Sequence, residues 1–169
     1  MKILVISHNV FSNNENMGKT LLNLFSGFCE DDICQLYFHS EIPTANHICN
    51  NYFRITDKDA LKSIFSKRCS GTSFDQTQIQ ENAVHSRTDV GLTAKVYQKG
   101  RNRTPFIYLA RDTMWALSGW FNKNLKAWLL ENNPDVIFFA AGDYCFSYNI
   151  AHKIAKFLNI PLIVYCVDD

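Results

Sequence analysis

The stretch Asn133-Pro134-Asp135-Val136-Ile137-Phe138-Phe139-Ala140-Ala141-Gly142-Asp143, continued by Ile150 to Leu158 and closed by Asn159-Ile160-Pro161-Leu162-Ile163-Val164-Tyr165-Cys166-Val167, decides the fold. Residues 136–140 are apolar without alternation, the mark of a strand covered on both faces. Ala141-Gly142-Asp143 is a turn. Ser147 to Leu158 then carries Ile150, Ala151, Ile154, Ala155 and Leu158, the i, i+3, i+4 stripe of a helix lying on a sheet. Asn159 stops that helix, Pro161 leads away from it, and residues 162–167 form a second buried strand. Strand, helix, strand in this order is a right-handed crossover between parallel strands.

Outward from this unit the pattern repeats. Ile3-Leu4-Val5-Ile6 is another doubly buried strand, and Thr20 to Phe28 carries Leu21, Leu22, Leu24, Phe25 and Phe28 at helical spacing. Ile33 to His39 and Tyr52 to Ile55 are weaker strands. Asp57-Lys58-Asp59 opens a short helix through Phe65, and Pro105 opens one or two aromatic-rich helices ending at Asn132. Residues 67–104 break the rhythm: polar and basic residues dominate and apolar ones are thin, so this tract reads as a mobile polar segment. The expectation is an α/β fold, a Rossmann-like three-layer α/β/α sandwich with a mostly parallel sheet, as a single domain over residues 1–169.

Composition bounds the function. At 169 residues, with 47% hydrophobic and 14% aromatic, the chain has enough apolar material for one core, which excludes wholesale disorder. The 17 basic residues nearly match the 16 acidic ones, so no global field favours nucleic acid, and none is expected as a partner. The six cysteines contain no C-x-x-C pair and read as reduced thiols. The apolar run after Met1-Lys2 is too short for a signal peptide and no run of about 18 apolar residues occurs, which predicts a cytoplasmic protein.

In an open parallel sheet, ligands bind beyond the carboxyl ends of the strands. This nominates three loops: 7–18, 140–144 and 168–169. Gly18-Lys19-Thr20 resembles the end of a phosphate-binding P-loop, but position 13 is Asn where that motif needs Gly. Gly18 still admits close backbone approach at a helix start, or else serves only as a tight turn into the helix with Lys19 solvated. His8 and Asn9 follow the first strand, where they hydrogen-bond a ligand or tie down the loop. Asp143 either caps the next helix or faces a ligand. Asp168 and Asp169 have no core-packing duty, and as neighbours in an extended segment they point to opposite faces. His39, His47, His85 and His152 show no metal-ligand spacing and are assigned to surface or helix-side positions. The basic cluster from Lys95 to Arg111, next to Phe106, Tyr108 and Trp115, suits a solvated loop leading into a core helix, or else contact with anionic lipid or a grip on an acceptor phosphate.

Met1-Lys2-Ile3-Leu4-Val5-Ile6-Ser7, the loop reaching Gly18 before an apolar helix, and the closing unit from Asn133 to Val164 resemble the amino-terminal domain of GT-B glycosyltransferases of the family 4-like kind. The resemblance covers the two ends of the chain and not its middle. It implies the acceptor-binding half of a two-domain enzyme that transfers a hexose from a nucleotide-sugar donor to a glycan or glycolipid acceptor, as in polysaccharide biosynthesis, with retention of configuration. It implies a further, donor-binding domain outside these residues, without which 1–169 transfers no sugar. It requires no metal and no cofactor. Asp168 takes the catalytic position where the family often has a His before Asp. His8, Asn9, Met17, Gly18, Lys19, Asp143 and Asp169 take substrate-binding positions, with Met17-Gly18 standing where the family usually has a Gly pair. Peripheral membrane contact through Lys95–Trp128, at the inner face of the plasma membrane, accords with a lipid-linked acceptor. The alternatives are the corresponding half of a sugar-nucleotide epimerase, and a non-catalytic flavodoxin-like or receiver-like binding module. A receiver wants acidic residues after the first strand, where Ser7-His8-Asn9 stands.

Overall fold

The computed structural model describes residues 1–12, 16–43, 47–66, 70–75 and 105–166. Its elements, in chain order, are β1 (Ile3–Ser7), α1 (Asn16–Leu24), β2 (Ile33–Tyr37), β3 (Asn51–Arg54), α2 (Asp57–Phe65), β4 (Thr72–Phe74), α3 (Pro105–Leu117), α4 (Lys123–Asn132), β5 (Val136–Ala141), α5 (Cys145–Leu158) and β6 (Leu162–Cys166). The strands form one six-stranded sheet in the order β4-β3-β2-β1-β5-β6. All neighbours are parallel except β3 and β4. The parallel strands therefore follow the doubly wound order of Rossmann domains. In flavodoxin the third strand lies on the other side of the first.

Each helix has a local cause. Thr56 and Asp59 close a reciprocal capping box at the start of α2. Asn122 caps α4 through the backbone N–H groups of Asn124 and Leu125. Asn133 and Asn159 end α4 and α5 in the left-handed conformation, at φ 43° and 55°. The helix predicted over Thr20–Phe28 begins earlier and stops at Leu24, after which residues 25–28 form a hydrogen-bonded turn.

Within the tract read as a mobile polar segment, 67–104, Thr72–Phe74 form strand β4 and pair with β3 at the sheet edge. Only Phe74 of the three is buried, so the strand gave almost no apolar signal. Gly71 makes the turn into it at φ 96°, and a Cβ there would run into the Phe53 ring. Residues 76–104 lie outside the described residues.

Strand alternation divides the core into two layers. Leu4, Ile6, Cys34, Leu36, Phe53, Ile137 and Phe139 face α2 to α5 and join Trp115, Trp128, Phe146 and Ile150. Ile3, Val5, Ile33, Tyr37 and Tyr52 face the opposite side, with Val10, Phe11, Leu21 and Phe25. The result is the expected three-layer α/β/α sandwich. Cys34 and Cys49 are buried, and burial pushes the Cys34 thiol up to about 12, so it behaves as a small apolar side chain.

Candidate functional site

The connection after β1 runs to one face of the sheet and that after β5 to the other, so the switch point lies between these adjacent strands. Ser7 is in register with Tyr37 of β2, and Ile6 with Phe139 of β5. His8 thus leaves the sheet at the point where the connections part. Its carbonyl accepts the N–H groups of Phe38 (3.2 Å) and His39 (2.9 Å), which fixes the imidazole on the rim.

Around His8 the fold gathers residues from distant parts of the chain. The Tyr144 ring lies 5.2 Å from it and the His39 ring 5.8 Å. Tyr108 of α3 lies 5.6 Å from Tyr144, and the Arg111 guanidinium sits 3.9 Å above the Tyr144 ring. Asp57, at the start of α2, holds this wall in place: its Oδ1 accepts both Arg111 Nε (3.0 Å) and the Trp115 indole N–H (2.8 Å). Trp115 stacks on Phe146 at 4.4 Å and 7° beneath the cluster, a packing worth about 1 kcal/mol beyond its burial. The floor is rigid.

His8 Nδ1 is buried without a hydrogen-bond partner. Burial, reinforced by the Arg111 and His39 charges, pushes its pKa down to about 3, so the ring is neutral at physiological pH. A neutral imidazole offers one donor and one acceptor nitrogen, which suits a hydroxyl-bearing ligand. Asp57-Lys58-Asp59 also has the spacing of a metal-binding D-x-D. Both carboxylates are committed, however, Asp57 to Arg111 and Trp115 and Asp59 to Thr56. Among the described residues no group of acidic, His or Cys side chains is arranged to hold a metal.

The remaining nominated residues separate from His8. The space above Gly18 is filled by this chain: a Cβ there would lie 2.8 Å from the Val10 carbonyl and 2.9 Å from Ser12. Close approach at Gly18 therefore serves the packing of α1 against its own loop. Buried Gln35 ties that loop down, accepting the Phe11 N–H (3.1 Å) and donating to Ser7 Oγ (2.8 Å) and the Asn9 carbonyl (3.1 Å). Asn9 thus acts through its backbone. Met17, in the first turn of α1, packs on the core, and Lys19 is exposed. Asp143 is exposed and does not cap α5, whose N-cap residue is Tyr144; the Phe146 N–H is taken by Asp112 of α3 at 2.9 Å. Asp168 and Asp169 lie outside the described residues.

Sequence reading reached Tyr144 through the 140–144 loop, and Tyr108 and Arg111 through the basic, aromatic cluster, but set His39 aside to a surface or helix-side position and gave Asp57 no role beyond opening α2. His39 carries the same signal as His8, a polar residue just past a buried strand. Arg111 and Tyr108 carry only the signal of a basic, aromatic tract, because α3 reaches the rim through tertiary packing.

Fold and site together define a doubly wound, Rossmann-like α/β domain with a polar and aromatic cluster at its switch point. No family model, curated protein or solved structure matches the chain.

Proposed function

We propose that this chain is the acceptor-binding half of a GT-B glycosyltransferase, which receives a sugar from a nucleotide-sugar donor on a glycan or glycolipid acceptor. The observation that carries this reading is the cluster of His8, Tyr144, Tyr108 and Arg111 at the carboxyl ends of β1 and β5. Aromatic faces accept the C–H surface of a pyranose, and a neutral imidazole accepts or donates a hydrogen bond to its hydroxyls. On this reading Asp168 is the catalytic residue and Asp169 a substrate-binding one, while donor binding belongs to a second domain. The epimerase alternative shares this architecture; the flavodoxin-like one loses its ground in the strand order.

The decisive assay incubates the full-length gene product with a panel of radiolabelled nucleotide sugars and a glycan and glycolipid acceptor library. Label moves to an acceptor, and His8→Ala lowers the rate. An intact, folded protein that neither transfers nor hydrolyses any donor overturns the proposal.

A membrane-facing acceptor also gives a role to the outer surface of α2 and α3. Lys58, Leu61, Lys62 and Phe65 recur at helical spacing on α2 and all are exposed, Phe65 at 84%. On α3, Phe106 (77%) and Leu109 (65%) are exposed as well. Apolar side chains beside lysines suit the interface of an anionic bilayer. No helix among the described residues is long and apolar enough to cross a membrane, so contact on this reading is peripheral, at the cytoplasmic face.

A further inference from the structure

The site uses only part of Arg111. Its Nε is tied to Asp57 and its plane rests on Tyr144, with the Phe146 ring 5.0 Å away. The terminal Nη atoms make no hydrogen bond among the described residues, and neither is sealed from solvent. The side chain is 16% exposed, so the guanidinium is walled in and oriented but open at its tip. An arginine held this way has already lost the rotamer freedom that a surface arginine loses on binding. Its free end presents two parallel N–H donors, the geometry that matches a carboxylate or phosphate.

The nearby acids do not occupy that end. Asp57 takes the Nε side, and Asp112 is turned to the Phe146 N–H at the start of α5. A second, independent feature lies beside it: the orphaned Nδ1 of His8, whose ring shares Tyr144 as a neighbour with Arg111. His8 adds a hydrogen-bonding nitrogen and no charge.

We propose that the acceptor is an anionic sugar, carrying a carboxylate or a phosphate, whose oxyanion is gripped by the Arg111 Nη pair while a neighbouring hydroxyl meets His8. This rests on the acceptor reading above and narrows it from any glycan to acidic ones.

The test titrates the 169-residue chain with glucuronate, glucose 6-phosphate, inorganic phosphate and glucose, followed by calorimetry and by the His8 imidazole resonances. At least one anionic sugar binds, and glucose binds about tenfold more weakly or not at all, as expected for loss of a charge-assisted pair. Preference between the two anionic sugars identifies carboxylate or phosphate as the group recognised. Arg111→Gln abolishes the preference over glucose. Arg111→Lys keeps the charge without the fork and restores it only in part, and thermal unfolding of both variants reports whether they fold. Should neither variant fold, the wild-type comparison of anionic sugar with glucose still decides. Equal binding of glucose and the anionic sugars, binding of phosphate alone, unchanged binding by a folded Arg111→Gln, or no saturable response up to about 10 mM overturns the proposal. Equal binding of glucose leaves the transferase reading standing. Arg111-dependent binding of an acidic sugar by a protein that transfers none sinks the transferase reading and leaves Arg111 and His8 as a binding site for an acidic sugar that is not an acceptor.

Discussion

The carboxylate of Asp112 accepts the backbone N–H of Phe146 at 2.9 Å, so the helix leaving β5 is capped from another helix 34 positions earlier in the chain. The bond joins α3 to α5 directly beneath the Tyr144 and Arg111 pair, and it places a negative charge at the positive end of the α5 dipole. Asp112→Ala removes both effects and lowers stability by about 1 kcal/mol in urea denaturation. Asp112→Asn keeps an acceptor and loses less. Equal stability of Asp112→Ala and wild type would show the cap to be energetically idle.

Gly18 and Gly27 make opposite predictions. An added methyl at Gly18 meets the Val10 carbonyl at 2.8 Å, so Gly18→Ala overpacks the loop and costs about 1–3 kcal/mol. At Gly27 nothing lies within 4 Å, so Gly27→Ala is neutral or stabilises by about 0.5 kcal/mol through the unfolded chain. Midpoints of chemical unfolding for the two variants must move in opposite directions or with clearly different size.

Gln35 is fully buried in β2, and its amide satisfies three groups of the β1–α1 connection. Gln35→Leu strands the Phe11 N–H, while the Ser7 hydroxyl keeps its bond to the Asn9 carbonyl, at a cost of about 2 kcal/mol. Backbone amide exchange should quicken at Phe11 before it does in β1 or β5; uniform quickening would contradict a local role.

His8 makes stability depend on pH. Its folded pKa of about 3 lies below the ordinary 6.5, so the unfolded chain binds a proton that the folded chain refuses. Stability from this group is therefore level above pH 6.5 and falls as the pH drops from 6.5 toward 3, with a slope approaching about one proton. Arg111, His39, Tyr144 and, beyond His39, Glu41 are the charged or titratable groups around it. His8→Gln flattens this part of the profile. An unchanged slope in the variant assigns the acid sensitivity elsewhere.

The exposed apolar residues of α2 and α3 predict sedimentation with anionic vesicles. Phe65→Ser and Phe106→Ser each weaken binding several-fold, consistent with the loss of a buried aromatic from an interface. Reversing Lys58 and Lys62 to Glu weakens it further and removes its salt dependence. Binding that is indifferent to all four changes speaks against this surface as the contact.

Much of the fold was legible because its causes are local. Doubly buried strands write themselves as apolar runs, α1 and α5 as stripes, and Asn159 as a stop. Strand β4 was missed because an edge strand with one buried residue has no periodic signal. Of the site, the sequence marked His8, the 140–144 loop and the basic cluster ending at Arg111, and not their meeting. Asp143 was read either as a cap or as a ligand contact from its position in the turn, whereas the Phe146 N–H is accepted by Asp112, which no spacing rule connects to Phe146. Gly18 was read as admitting close approach of a ligand, and the group packed against it is the chain's own Val10–Ser12 loop.

The sequence alone determined a mostly parallel α/β sheet and nominated, among others, the loop after its first strand, because burial on both faces and helical periodicity are properties of short windows. Only tertiary structure decided what stands at that point. Arg111, Asp57 and Tyr144 meet His8 through the packing of α2, α3 and α5 on one face of the sheet. Such packing depends on side-chain shape and hydrogen-bond geometry summed over the whole core, which no local pattern encodes.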